Sequence, residues 1–139
     1  MKTKFDQLIN AQKRKLDMCE MQIVRHNNEI AALQSQISAL IDQISKMQIP
    51  KGGSFDVFLQ ANARKRVLVS DIDSHQARIS AHKAEISKLE ALYRTLYLEY
   101  EKLKHIQEKE RENIIKAFKK RESKELDEIA ILLHKKERA

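Results

Sequence analysis

Thirteen positions of the first fifty residues fall on an unbroken alternation of three and four: Phe5, Ile9, Gln12, Leu16, Cys19, Ile23, His26, Ile30, Leu33, Ile37, Leu40, Ile44 and Met47. Eleven of the thirteen are apolar, which is the period of a coiled-coil seam and not that of a strand. The rhythm breaks at Pro50-Lys51-Gly52-Gly53-Ser54 and resumes through Leu68, Ile72, His75, Ile79, His82, Ile86, Leu89, Tyr93, Leu96, Tyr100 and Leu103. A chain patterned in this way must bury two helical stripes, and the shortest way to do so is to fold one onto the other.

The interruption sets the geometry. Pro50 lacks a backbone N–H and turns Ile49 away from helix, and Gly52 and Gly53 can take the positive φ angles that close a helix end. Ser54 is the expected N-cap of the second helix, with Asp56 in its first turn facing the positive end of the helix dipole. So short a connection forces antiparallel neighbours. The expected fold is all-α, a single domain over residues 1–139: a two-helix antiparallel coiled-coil hairpin with helix one over about residues 4–48, a turn at 49–54 and a longer helix two over about 55–136. With two glycines and one proline in 139 residues, nothing in the composition competes with long helices.

A turn centred on Gly52 and Gly53 pairs residues whose numbers add to about 105. That register puts Tyr93 near Gln12 and Ile79 near His26. Gln12 then either accepts the phenolic hydrogen of Tyr93 or reaches solvent at the rim of the seam. His26, His75 and His82 also lie in the seam. Zinc needs its ligands about 2 Å from one point, whereas Cys19 and His26, like His75 and His82, stand two turns apart on one helix, roughly 10 Å. The seam histidines therefore read as polar core residues that lower stability or set register, and as a means of weakening the coil at acid pH. Neither a metal nor a cofactor is expected. Cys19 reads as a small core residue.

Charge and hydropathy exclude other classes. A two-helix hairpin fills its seam with its own side chains and lacks the concave pocket that catalysis needs, so no enzyme is expected. The single cysteine cannot form an internal disulfide, which fits the reducing cytoplasm. No stretch approaches the roughly 20 apolar residues that span a bilayer, and residues after Met1 give no signal-peptide core. The net charge of +7 is spread over the chain, with basic clusters at Lys13-Arg14-Lys15, Arg64-Lys65-Arg66 and Lys119-Lys120-Arg121. A nucleic-acid binder would gather such residues in one stripe with aromatics among them, and the tyrosines lie elsewhere.

Helix two is much longer than helix one. In the register above, residues from about His105 onward have no partner helix and would project about 50 Å. Residues 107–113 are polar all round and read as a solvated single helix. Beyond them Ile115, Phe118, Leu126, Ile129 and Leu133 restore an apolar stripe, flanked by Ile114, Ala130 and Leu132. Exposing those side chains forgoes roughly 1.5 to 3 kcal/mol each relative to burial. The stripe therefore requires a partner protein or a second copy of the chain.

The run Arg121-Glu122-Ser123-Lys124-Glu125-Leu126-Asp127-Glu128-Ile129-Ala130 resembles the C-terminal signature of the FliJ family of flagellar type III export proteins, a Glu-x-Lys-x-Leu/Met-Asp-Glu run near the end of a long second helix. Phe5, Leu8 and Ile9 followed by Lys13 resemble that family's opening, and Phe55 and Phe58 match its aromatic pair just after the turn. The resemblance implies a hairpin similar to the central stalk of rotary F-type ATPases. Such a stalk promotes assembly of the hexameric export ATPase, contacts the cytoplasmic domain of the export-gate protein and escorts export chaperones at the cytoplasmic base of the flagellar export apparatus.

Carried onto this chain, the resemblance implies ATPase contacts by Phe5, Lys13, Arg14, Phe118, Arg121, Lys124, Leu126, Asp127, Glu128 and Ile129. It places the gate contact at Phe55, Phe58, Asn62 and Lys65, although Asn62 and Lys65 stand where the family has more apolar residues. A virulence-type secretion stalk is a close variant. Two readings of other classes stand beside it: a coiled-coil scaffold that self-associates through residues 114–133, and a basic helical nucleic-acid binder whose affinity falls steeply with salt.

Overall fold

A computed structural model describes residues 3–48 and 52–138, with the side chain of Arg138 excepted. Two helices account for nearly all of them, α1 (Asp6–Lys46) and α2 (Phe55–Arg138), and there is no strand among the described residues. They form the expected antiparallel hairpin with the longer second helix. Each position of the 3,4 rhythm in both helices is buried or half-buried, so the stripes meet as a seam.

Local chemistry accounts for the helix ends. At the start of α1 the Thr3 hydroxyl accepts the Phe5 N–H at 3.2 Å, and the Asp6 carboxylate accepts the Thr3 N–H at 3.1 Å. This reciprocal cap satisfies amides that a helix end otherwise leaves without partners. α1 stops at Lys46, two residues before the expected Gln48, and its last turn tightens as the Met47 N–H reaches the Ile44 carbonyl at 3.1 Å. Ser54 stands directly before α2 as expected, and its carbonyl accepts the Val57 N–H at 3.1 Å. Of the two glycines only Gly53 takes a positive φ, 126°, a conformation that L side chains rarely adopt. The expectations for Ile49 and Pro50 lie outside the described residues.

The chain divides into two compact units, Met1–Lys15 with Thr95–Ala139, and Leu16–Arg94. In the second unit Ile30, Leu33 and Ile79 form the buried cluster, with Ile37 and Ile86 packed against it. Leu16 and Cys19 are also buried, and the Cys19 thiol donates to the Leu89 carbonyl at 3.2 Å. In the first unit Gln12 is buried with its amide satisfied, Nε2 donating to the Leu96 carbonyl at 3.1 Å and to Glu99 Oε2 at 3.0 Å.

These contacts correct the expected register. Gln12 with Leu96, Cys19 with Leu89 and His26 with His82 have numbers that add to 108, three more than a turn symmetric about Gly52 and Gly53 requires. Gln12 therefore meets Leu96 and Glu99 across the seam, and Ile79 packs with Ile30 and Leu33 while His26 faces His82. The reason lies at the connection. α1 ends at Lys46, which this register sets level with Asn62, so the first turn of α2 runs past the end of α1. Phe55 is 72% exposed in consequence.

Candidate functional site

In the first unit, the start of α1 is tied down by side chains from the far part of α2. Gln107 Nε2 donates both to the Thr3 hydroxyl, at 2.8 Å, and to Asp6 Oδ1. Arg111 lies 4.0 Å from Asp6 Oδ1 and Lys4 lies 4.0 Å from Glu110 Oε1. Gln107 is buried, and Glu110 and Arg111 are half-buried. The 3,4 rhythm thus continues from Leu103 to Gln107 and Glu110 in polar residues. Of the expected solvated stretch at 107–113, residues 107–111 instead form the last turn of the seam, and the exposed part of α2 begins at Glu112 where His105 was expected. A sequence signal existed: a Thr-x-x-Asp cap facing a long polar residue four positions past Leu103.

From Glu112 to Glu137 all residues are exposed. Phe118, Leu126 and Ile129 are 59%, 66% and 51% exposed, and Ile114, Ile115, Ile131, Leu132 and Leu133 stand open beside them. Steps of four, four, three and four carry one stripe through Phe118, Glu122, Leu126, Ile129 and Leu133. Arg121, Lys124 and Glu128 form a charged stripe next to it, and Asp127 is exposed as well. On α1, Phe5 is half-buried with the Lys4 ammonium 5.4 Å from its ring centroid, and Lys13 and Arg14 point to solvent. Such a surface offers apolar area edged by both signs of charge, which suits a protein partner.

Phe58, Asn62 and Lys65, three of the four residues matched to the gate contact, line the hollow of about 150 Å³ against Ile44, Met47, Gln48 and Ala61 in the second unit. Phe55 is not among the lining residues.

A third cluster was not expected. His26 Nδ1 and His82 Nδ1 lie 2.8 Å apart across the seam, their ring centroids 5.1 Å apart and tilted by 56°. His82 Nε2 is 2.9 Å from Glu29 Oε2. Spacing along one helix had excluded a common ligand for the histidines, but the two rings come from opposite helices. His75 stays apart, with its Nδ1 buried and without a hydrogen-bond partner. Burial raises the pKa of the Cys19 thiol. No described helix is long and apolar enough to cross a membrane.

A family model described as the flagellar FliJ protein matches residues 1–139, the whole chain. No curated protein and no solved structure matches it.

Proposed function

Because the chain belongs to the FliJ family of flagellar proteins, we propose that it serves flagellar protein export as a non-enzymatic stalk that binds the hexameric export ATPase and promotes its assembly. A role in flagellar export follows from the family, and the stalk reading rests on one observation. Beyond Arg111 the second helix is exposed among the described residues, yet it carries Phe118, Leu126 and Ile129 on one stripe. Burial of that stripe inside a ring would recover apolar surface that the described residues leave exposed. Arg121, Lys124, Asp127 and Glu128 along its edge would fix orientation, as charged rims do at protein interfaces. Phe5, Lys13 and Arg14 belong to the same compact unit and would extend the contact onto α1.

The hollow lined by Phe58, Asn62 and Lys65 is the proposed contact for the cytoplasmic domain of the export gate, with Phe55 exposed in the preceding turn. Escort of export chaperones completes the reading, at the cytoplasmic face of the export apparatus. The test is ATP hydrolysis by the cognate export ATPase with and without the protein, run beside Phe118→Ala/Leu126→Ala/Ile129→Ala. Stimulation that the triple variant loses, at unchanged helix content, supports the stalk. No stimulation, with a stable homodimer that the same variant dissociates, would replace it with a self-associating scaffold.

A further inference from the structure

His26 comes from α1 and His82 from α2, and both belong to the compact unit Leu16–Arg94. The rings meet Nδ1 to Nδ1 at 2.8 Å. His82 Nε2 is engaged with Glu29 Oε2 at 2.9 Å, where an ionised carboxylate can only accept. In the neutral ring the proton therefore sits on His82 Nε2, and His82 Nδ1 is then a lone-pair donor pointing at the other ring. One member of the cluster is thus already oriented as a ligand, held by a carboxylate behind it in the manner of carboxylate–histidine–metal triads.

We propose that His26 Nδ1 and His82 Nδ1 bind one divalent ion of the zinc class across the hairpin, with Glu29 orienting His82 from behind. Two nitrogens each about 2.05 Å from a tetrahedral ion lie ~3.3 Å apart. The pair must open by about half an ångström from the metal-free contact, which small rotations of two rings supply. The single proton between the Nδ1 atoms moves to His26 Nε2, so both rings stay neutral and coordinate without a charge penalty. The remaining positions take water, because both rings are only half-buried in the seam. Imidazole nitrogen selects zinc, copper and nickel over magnesium or calcium, which prefer oxygen ligands. His26, Glu29 and His82 all lie within 4.8 Å of one another by one ligand atom each, so the site needs no movement of either helix to assemble. The ion would act as a removable staple between α1 and α2.

The test uses the full chain. Zinc is titrated into chelator-treated protein while long-range ¹H–¹⁵N spectra follow the imidazole nitrogens, and calorimetry gives the stoichiometry. The expected result is one ion per chain, Nδ1 shifts confined to two of the five histidines, and a melting temperature raised by zinc but not by magnesium. His26→Asn and His82→Asn should abolish binding, His75→Asn should leave it intact, and Glu29→Gln should weaken it about tenfold or more. Unchanged imidazole signals in the wild type under zinc would overturn the site, and since they need no variant, a misfolded substitution cannot blur the result. Binding that survives His26→Asn/His82→Asn, or one ion shared by two chains, would overturn it as well.

Discussion

The side-chain amide of Gln107 donates to the Thr3 hydroxyl at 2.8 Å across a sequence separation of 104 residues, and the same nitrogen reaches Asp6. Thr3 and Asp6 are also the two halves of the α1 cap. One glutamine therefore holds both groups that satisfy the first amides of the helix. Gln107→Ala should destabilise the first unit by about 1 to 2 kcal/mol, the cost of a lost buried hydrogen bond and a weakened cap. Hydrogen exchange is the measurement: amides at the start of α1 should exchange faster, while those around Leu33 stay as in the wild type. Equal protection at the start of α1 in both proteins would show that the cap stands without Gln107.

The seam itself was legible because apolar residues declare a helical stripe: all thirteen rhythmic positions from Phe5 to Met47 are buried or half-buried in the structure. Three features were not, each for a physical reason. Polarity at Gln107 and Glu110 hid the last turn of the seam, since apolar periodicity detects burial only where burial is dry. The register moved by three because the first turn of α2, with Phe55 and Phe58, overruns α1, and nothing in a Pro-Lys-Gly-Gly connection reports such asymmetry. The meeting of His26 with His82 depends on that register, so spacing along either helix alone could not reveal it.

His75 and the His26–His82 pair separate two kinds of seam histidine. His75 keeps a buried Nδ1 without a partner, and an unmade buried hydrogen bond costs about 1 to 3 kcal/mol. His75→Leu should therefore raise stability by about 1 to 2 kcal/mol in urea denaturation. His82→Leu should lower it, because it strips His26 Nδ1 of its partner and leaves Glu29 without one as well. Equal effects of the two substitutions would mean that the pair contributes nothing beyond filling space.

Leu33 is 3% exposed at the centre of the buried cluster with Ile30 and Ile79. Leu33→Ala removes packed atoms and leaves a cavity, which costs about 2 to 4 kcal/mol. Ile41 sits on the same helix but is 54% exposed, and Ile41→Ala should change stability by less than about 0.5 kcal/mol. Chemical denaturation of the two variants tests whether this unit draws its stability from the seam. A shift for Ile41→Ala as large as that for Leu33→Ala would mean that the outer face is covered in solution.

Cys19 is 3% exposed and its thiol donates to the Leu89 carbonyl. Burial disfavours the thiolate and lifts the pKa above that of a free thiol. Because the thiolate is the nucleophile, iodoacetamide should react with the folded chain at least about tenfold more slowly than with the urea-unfolded chain at the same pH. The sign of the linkage follows. Below the unfolded thiol's pKa of about 8.5 both states keep the proton, and the contribution to stability is complete. Above it the unfolded state ionises first, so stability falls as pH rises toward the folded value. Wild type should therefore lose more stability than Cys19→Ala between about pH 8 and 10, and that difference removes the contribution of tyrosines and lysines common to both. Parallel pH profiles for the two proteins would place the thiol in contact with water.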